Sequence, residues 1–145
     1  MERVLDGDTL CVRSGHLHFL VRLHGVDAPE LSQPGGREAR RFIHRLLHNQ
    51  DVVLIPKGVD GFGRTVADVL VNGDNLAYML VRLGLAQWHS CFAPDDRILR
   101  RLHIQARHDR IGLWAERPMT APSCPHTASA DPPVPRFLHT CKRVR

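Results

Sequence analysis

Four carboxylates and two arginines fall in three short clusters whose types suit chemistry on a phosphate. They are Asp6-Gly7-Asp8-Thr9, then Arg22 followed by Asp27-Ala28-Pro29-Glu30, then Phe62-Gly63-Arg64. Each cluster lies beside a strand-like run or a turn. Hard carboxylate oxygens suit Ca²⁺ or Mg²⁺, and paired planar guanidinium groups suit a phosphate. A metal site beside an arginine clamp is what hydrolysis of a phosphodiester requires, so the three clusters together imply a metal-dependent nuclease.

Taken singly, each cluster has a plainer explanation. Asp6-Gly7-Asp8-Thr9 reads equally as a bulge or turn, since Asp and Gly serve there for backbone reasons. Asp27-Ala28-Pro29-Glu30 reads equally as a turn with Asp27 as a cap. Asp60-Gly61-Phe62-Gly63 has the look of a hairpin turn, with Arg64 on a solvated strand. Arg22 differs, because an arginine inside an alternating apolar strand either snorkels or finds anionic company, and Asp27 is close by. The combination is far more specific than any member.

The elements that must position these residues follow from periodicity. Leu10 and Val12 alternate with polar or small neighbours, and Leu17, Phe19, Val21 and Leu23 alternate strictly. These are half-buried strands, with Arg22 on the face opposite the apolar row. From about residue 37 to 49 the period becomes helical: Ala39, Phe42, Ile43, Leu46 and Leu47 share one side. Arg37, Arg40, Arg41, His44, Arg45 and His48 take the other. Val52 to Ile55 reads as a short buried strand, and a further strand spans Thr65 to Val71, ending at the tight-turn pair Asn72-Gly73. A helix over residues 76–83 closes at Gly84, and a last helix is capped by Asp95 or Asp96. Its buried side is expected to carry Ile98, Leu102, Gln105, Ala106 and Asp109.

The chain has 145 residues, about one domain, with 43% hydrophobic residues to build a core. A formal charge of +5 and a pI near 9.6 fit a polyanionic partner. No apolar run approaches the roughly 20 residues that span a bilayer, and Met1-Glu2-Arg3-Val4 leaves no room for a signal peptide before the first cluster. The expectation is a cytoplasmic protein, or a secreted or periplasmic one if the true start lies upstream. Cys11, Cys91, Cys124 and Cys141 are scattered, without the spacing of a disulfide scaffold, which leans slightly toward a reducing compartment. After Glu116 six prolines interrupt a stretch with no sustained period, so residues 117–145 are expected to be a disordered, weakly basic tail. Residues 1–116 form the domain: a small α+β fold, plausible as a five-stranded barrel with about three helices.

Val4-Leu5-Asp6-Gly7-Asp8-Thr9, the run from Val21 to Glu30, and Phe62-Gly63-Arg64 resemble the three signatures of the staphylococcal-nuclease-like family. Gly84-Leu85-Ala86 and Gly112-Leu113-Trp114 resemble its structural landmarks. The resemblance covers about Val4 to Glu116 and implies an OB-like five-stranded barrel with three helices. It implies that Asp8 and Asp27 are Ca²⁺ carboxylates, with the Ala28 carbonyl as a further ligand and Asp6 in the outer shell. Glu30 then takes the position of the general base, and Arg22 and Arg64 those of the arginines that hold the phosphate. The implied activity is cleavage of DNA or RNA with little sequence preference, leaving 3′-phosphates and 5′-hydroxyls, by a monomer that prefers single strands.

The sequence departs from that family in three places. The first strand is short, with only Met1 to Leu5 before the Asp-Gly-Asp element, and the segment between Glu30 and the first helix lacks a long loop. The nucleotide-facing tyrosines of the family's founding member are replaced by Phe62, Ser90 and Phe92; Phe62 can still stack on a base, whereas Ser90 reaches less far and offers no face. The main alternative is a non-catalytic OB-fold module that binds nucleic acid or protein, against which stands the presence of Asp8, Arg22, Asp27, Glu30 and Arg64 together. Other residues have bland explanations. His44 and His48 read as solvated, Trp88 and Trp114 as core, and Cys124-Pro125-His126 with His139-Thr140-Cys141 matches no common zinc spacing.

Overall fold

The alternating runs of the first third become strands that meet partners distant in sequence. A computed structural model describes residues 3–116. In chain order its elements are β1 (Arg3–Val4), β2 (Thr9–Ser14), β3 (Leu17–Leu23), β4 (Val26–Asp27), α1 (Gly36–Leu47), β5 (Val52–Val59), β6 (Thr65–Val71), β7 (Asp74–Asn75), α2 (Leu76–Arg82), β8 (Gln87–Trp88), α3 (Arg97–His108) and a 3₁₀ turn (Gly112–Trp114). The main sheet runs β1-β2-β3-β6-β5, with β7 added beside β6, and β4 pairs with β8 separately. This is the expected small α+β fold, with five strands on the main path and three α-helices. Among the described residues no ladder joins β1 to β5, so the hydrogen-bonded path is open there.

Two pairings decide where the chemistry sits. β2 lies antiparallel to β3 and sets Thr9 opposite Arg22. β6 lies parallel to β3, with Arg22 opposite Val66, which brings the start of β6 and its preceding Arg64 to the same sheet region. Val21 and Leu23 on one side of β3 are buried with Leu10, Val69, Val71, Ile43 and Leu80, so the strand is fixed in register by its apolar row. Arg22 is left on the opposite side. β5 is longer than its apolar run predicts: it passes Pro56 through a register shift between Pro56 and Gly58 and continues to Val59.

Helix α1 starts at Gly36 and buries Ala39, Ile43 and Leu47. Helix α3 is capped by Asp96, whose Oδ1 accepts from the backbone N–H groups of Ile98 (3.1 Å) and Leu99 (2.9 Å). Its buried side differs from expectation. Leu99 and Ala106 are buried, whereas Ile98 is 53% exposed. The Tyr78 hydroxyl donates to Asp96 Oδ2 (3.2 Å) and fixes the helix start, while Leu99 fills the space beside Gly25. Leu99 thus replaces Ile98 in the first turn, while Leu102 and Ala106 face inward as expected and Gln105 and Asp109 are exposed. Trp114 is buried, as expected of a core residue, and Trp88 packs against the core. Gly84 and Gly112 both have positive φ (65° and 57°), and a Cβ on either would strike the other's segment. Their contact, with the Leu113 N–H donating to the Gly84 carbonyl (2.8 Å), ties the ends of α2 and α3 together.

Cys11 and Cys91 are both disulfide-bonded, although their scattered positions lack the spacing of a disulfide scaffold. No helix among the described residues is long and apolar enough to cross a membrane. The expected tail, with Cys124, His126, His139 and Cys141, lies outside the described residues.

Candidate active site

The first cluster is a turn between β1 and β2 that is pressed against the second. Asp6 Oδ1 accepts from the Asp8 backbone N–H (3.0 Å), a local bond that shapes the turn. A Cβ at Gly7 would come within 2.7 Å of the Ala28 Cβ and 2.8 Å of the Ala39 Cβ. Only glycine lets the turn sit this close to Ala28 and to α1. Asp8 is thereby delivered to the second cluster, where its Oδ2 accepts from the Ala28 N–H (2.9 Å) and meets Arg22 Nη1 (3.2 Å). Arg22 Nη2 reaches Asp27 Oδ1 (3.4 Å), and Nη1 also donates to the Leu23 carbonyl (3.2 Å). One guanidinium thus spans both carboxylates expected to be metal ligands.

The third cluster joins this one through Thr9. The Thr9 hydroxyl donates to Asp8 Oδ1 (3.0 Å) and accepts from Arg64 Nη1 (3.2 Å). Arg64 is held from behind: its Nε donates to Asp60 Oδ2 (2.6 Å), and Asp60 Oδ1 accepts from the backbone N–H groups of Phe62 (2.9 Å) and Arg64 (3.0 Å). Its guanidinium lies 5.2 Å from the Phe62 ring centroid, and that ring is 82% exposed. Asp8, Arg22, Asp27 and Arg64 therefore form one connected network. Glu30 is exposed, with its backbone N–H bound to Gln33 Oε1 (2.9 Å), and no side-chain contact ties it to the network among the described residues. A Cβ at Gly36 would collide with the Glu30 carbonyl, so the start of α1 sits directly on that residue. Ser90 and Phe92 lie on the exposed segment after β8. Its backbone is fastened by the His24 ring to the Phe92 carbonyl (3.2 Å), and the rings of His89 and Phe92 are 4.3 Å apart.

Burial dominates the electrostatics. It pushes the Asp8 carboxyl up to about 6, while Arg22 and the Ala28 N–H pull it down and the Asp6 carboxylate adds to the rise. Desolvation thus outweighs the salt bridge, and the ionised form lacks positive charge. That deficit suits a divalent cation. Among the described residues no three acidic, histidine or cysteine side chains converge as a cage. Of the expected donors, Asp8 and Asp27 are joined through Arg22, and Asp6 stands beside Asp8 in the same turn. Hard oxygen donors of this kind fit Ca²⁺ or Mg²⁺ and not zinc.

Three residues were given no role by sequence reasoning. Thr9 stood inside a motif, but its bridging position depends on β2, β3 and β6 meeting. Asp60 read as a turn former, although its spacing of four from Arg64 was a usable signal. His89 is 6% exposed; its ring Nδ1 has no partner among the described residues, and burial lowers its pKa, with Asp27 and Arg22 acting in opposite directions.

Residues 20–116 match the family model described as staphylococcal nuclease homologue. An uncharacterized endonuclease of Haemophilus influenzae is 34% identical over 122 residues, covering 83% of this chain and 68% of that protein. A micrococcal nuclease of Shigella flexneri is 33% identical, covering 79% and 71% respectively. A staphylococcal-like nuclease of Arabidopsis thaliana is 32% identical over 97 residues, but this chain spans only 30% of its length. The sheet with its three helices, the clustered carboxylates and arginines, and these matches agree: the chain belongs to the staphylococcal nuclease family.

Proposed function

We propose that Asp8, Arg22, Asp27, Glu30 and Arg64 form the Ca²⁺-dependent centre of this protein, which by its family is an endonuclease. The observation that carries the proposal is the network itself. Arg22 of β3, Asp27 of β4, Asp8 of the turn before β2 and Arg64 just ahead of β6 converge through Thr9 and Arg22, although three separate segments of the chain supply them. A structural ion pair needs one arginine and one acid, not this surplus.

In this reading Arg22 and Arg64 bind the scissile phosphate and hold the charge that grows on its oxygens, an interaction stronger in the transition state than in the ground state. Arg64 approaches pre-aligned, because Asp60 fixes Nε and Thr9 accepts from Nη1, which leaves Nη2 and the second N–H of Nη1 to the substrate. Arg22 exchanges part of its contact with Asp8 and Asp27 for the phosphate. Asp8, Asp27 and the Ala28 carbonyl hold the cation, with Asp6 behind them. When bound, the ion supplies positive charge to the phosphoryl oxygens and makes water easier to deprotonate. Glu30, exposed and ionisable, takes the proton from the attacking water. Phe62 stacks on a base beside Arg64, and Ser90 and Phe92 contact the nucleotide from the segment after β8.

The substrates are DNA or RNA, single strands in preference, cut with little sequence discrimination to leave 3′-phosphate and 5′-hydroxyl ends by a monomer. The bonded cysteines favour an oxidising compartment over the cytoplasm. The test is cleavage of single-stranded DNA by the purified chain in Ca²⁺ and in EDTA, with end-group analysis. Cutting that needs Ca²⁺ and gives 3′-phosphates supports the proposal. Strand binding without cutting under any divalent ion would favour a binding module and overturn it.

A further inference from the structure

The outer face of α1 carries charge that the catalytic centre does not use. Arg37, Arg41 and Arg45 are exposed there at successive spacings of four, which places them about 6 Å apart along one stripe. They line a groove of about 1110 Å³ together with Arg40 and His44. Four arginines face a single carboxylate, Glu38, which pairs with Arg41 at 3.1 Å. Arg40 turns partly inward, its Nε donating to the Val4 carbonyl (3.1 Å). Arg37 and Arg45 have no ion pair among the described residues. The groove also has an apolar part, made by Leu31, Phe42 and Leu85.

Its position ties it to the catalytic centre. Leu31 and Ser32, at one wall, directly follow Glu30. The buried side of the same helix supports the Asp6-Gly7-Asp8 turn through Ala39. We infer that this groove holds the flank of a single-stranded polynucleotide substrate, with phosphates beyond the scissile bond on Arg37, Arg41 and Arg45 and a sugar or base face against Phe42 and Leu85. The inference rests on the phosphodiesterase reading for which end of the strand is cut, but the binding it requires can be measured without cleavage. A regular row of like charges at phosphate-like spacing suits a polymer with evenly repeated anions. An acidic peptide, with irregular charge and no stacking faces, fits it less well.

The test is binding of a 20-nucleotide single strand and of a dinucleotide to the full chain in EDTA, followed by anisotropy from about 50 to 200 mM salt. The variant is Arg37→Gln/Arg41→Gln/Arg45→Gln, with the corresponding triple lysine variant as control. Removing three phosphate contacts should lower the slope of log K against log salt by about 2 and weaken long-strand binding by at least about tenfold. Dinucleotide binding should be unchanged, and the lysine variant should keep the wild-type slope. An unchanged slope in the glutamine variant overturns the inference, as does equal loss for both ligands. Polyaspartate that binds wild type as tightly as the long strand, with the same arginine dependence, would assign the groove to acidic protein and overturn it too. Cleavage in Ca²⁺ is measured separately: a chain that binds through the groove but cuts nothing refutes the catalytic proposal and not this one.

Discussion

Replacing Asp8 by asparagine should stabilise the metal-free protein, by an amount set by pH. Burial raises the folded-state pKa of Asp8 from 3.8 to about 6 despite the salt bridge to Arg22. A raised acid favours its protonated form in the fold, so its ionisation costs stability that accumulates as pH rises from about 4 to about 6 and stays constant above. A shift of about two units corresponds to about 3 kcal/mol. Asparagine keeps an acceptor for the Ala28 N–H and has no charge to desolvate. In EDTA at pH 7 the Asp8→Asn protein should be about 3 kcal/mol more stable than wild type, about 10 °C in Tm. The difference should vanish near pH 4. His89 and His103, whose pKa values burial lowers, act in the opposite sense and weaken the fold as pH drops, but they do so in both proteins and cancel in the comparison. Thermal unfolding by circular dichroism at a series of pH values measures it. Saturating Ca²⁺ should shrink or reverse the gap, because wild type alone gains the binding energy of an intact site. A gap independent of pH, or wild type the more stable at pH 7 in EDTA, would mean that the ion pair outweighs desolvation and would refute the reasoning.

Other outcomes follow from the same geometry. Arg64→Lys keeps the charge but loses the bond from Nε to Asp60 and the fork, so turnover on DNA should fall by at least about 100-fold, equivalent to about 2.7 kcal/mol. Asp60→Asn leaves Arg64 in place but loosens its aim. A fall of about tenfold in kcat with little change in KM is expected, and an effect confined to KM would show that Asp60 acts on binding alone. Ser90→Tyr restores a ring and hydroxyl beside Phe92 and should tighten inhibition by a nucleoside 3′,5′-bisphosphate; unchanged inhibition would remove Ser90 from the nucleotide site.

Legibility from sequence tracked how local each feature is. The strand over Leu17–Leu23 was readable because its period of two comes from burial on one side, and Asp96 was among the caps named because capping is a matter of neighbouring residues. The five residues proposed for chemistry were found from residue type and family resemblance together. Their connection was not. Thr9 links Asp8 to Arg64 only because β3 and β6 run in parallel, and no spacing within either segment encodes that pairing. The continuation of β5 beyond Ile55 was hidden by Pro56, which lacks a ladder donor and is tolerated through the register shift. On α3 the inward positions Leu102 and Ala106 were readable, but the first turn was not, since Ile98 and Leu99 are equally apolar and the docking of Tyr78 on Asp96 decides between them. The bonded state of Cys11 and Cys91 depends on proximity in space, which scattered positions in the chain do not report.

The parallel pairing of β3 with β6 also bears on how the proposed site is assembled during folding. Both carboxylate clusters and Arg22 emerge early in synthesis, but Arg64 follows only after the whole of α1 and β5. Parallel strands need a long crossover, and closing one is a slow, non-local event relative to hairpin formation. If Arg22 and Arg64 hold the phosphate as proposed, a chain in which β3 and β6 are not yet paired has the acids and one arginine in place without the second. The β4–β8 pairing, which sets Asp27 opposite Gln87, spans a still longer stretch of chain, so under the proposed roles both the arginine clamp and the placement of Asp27 wait on non-local contacts.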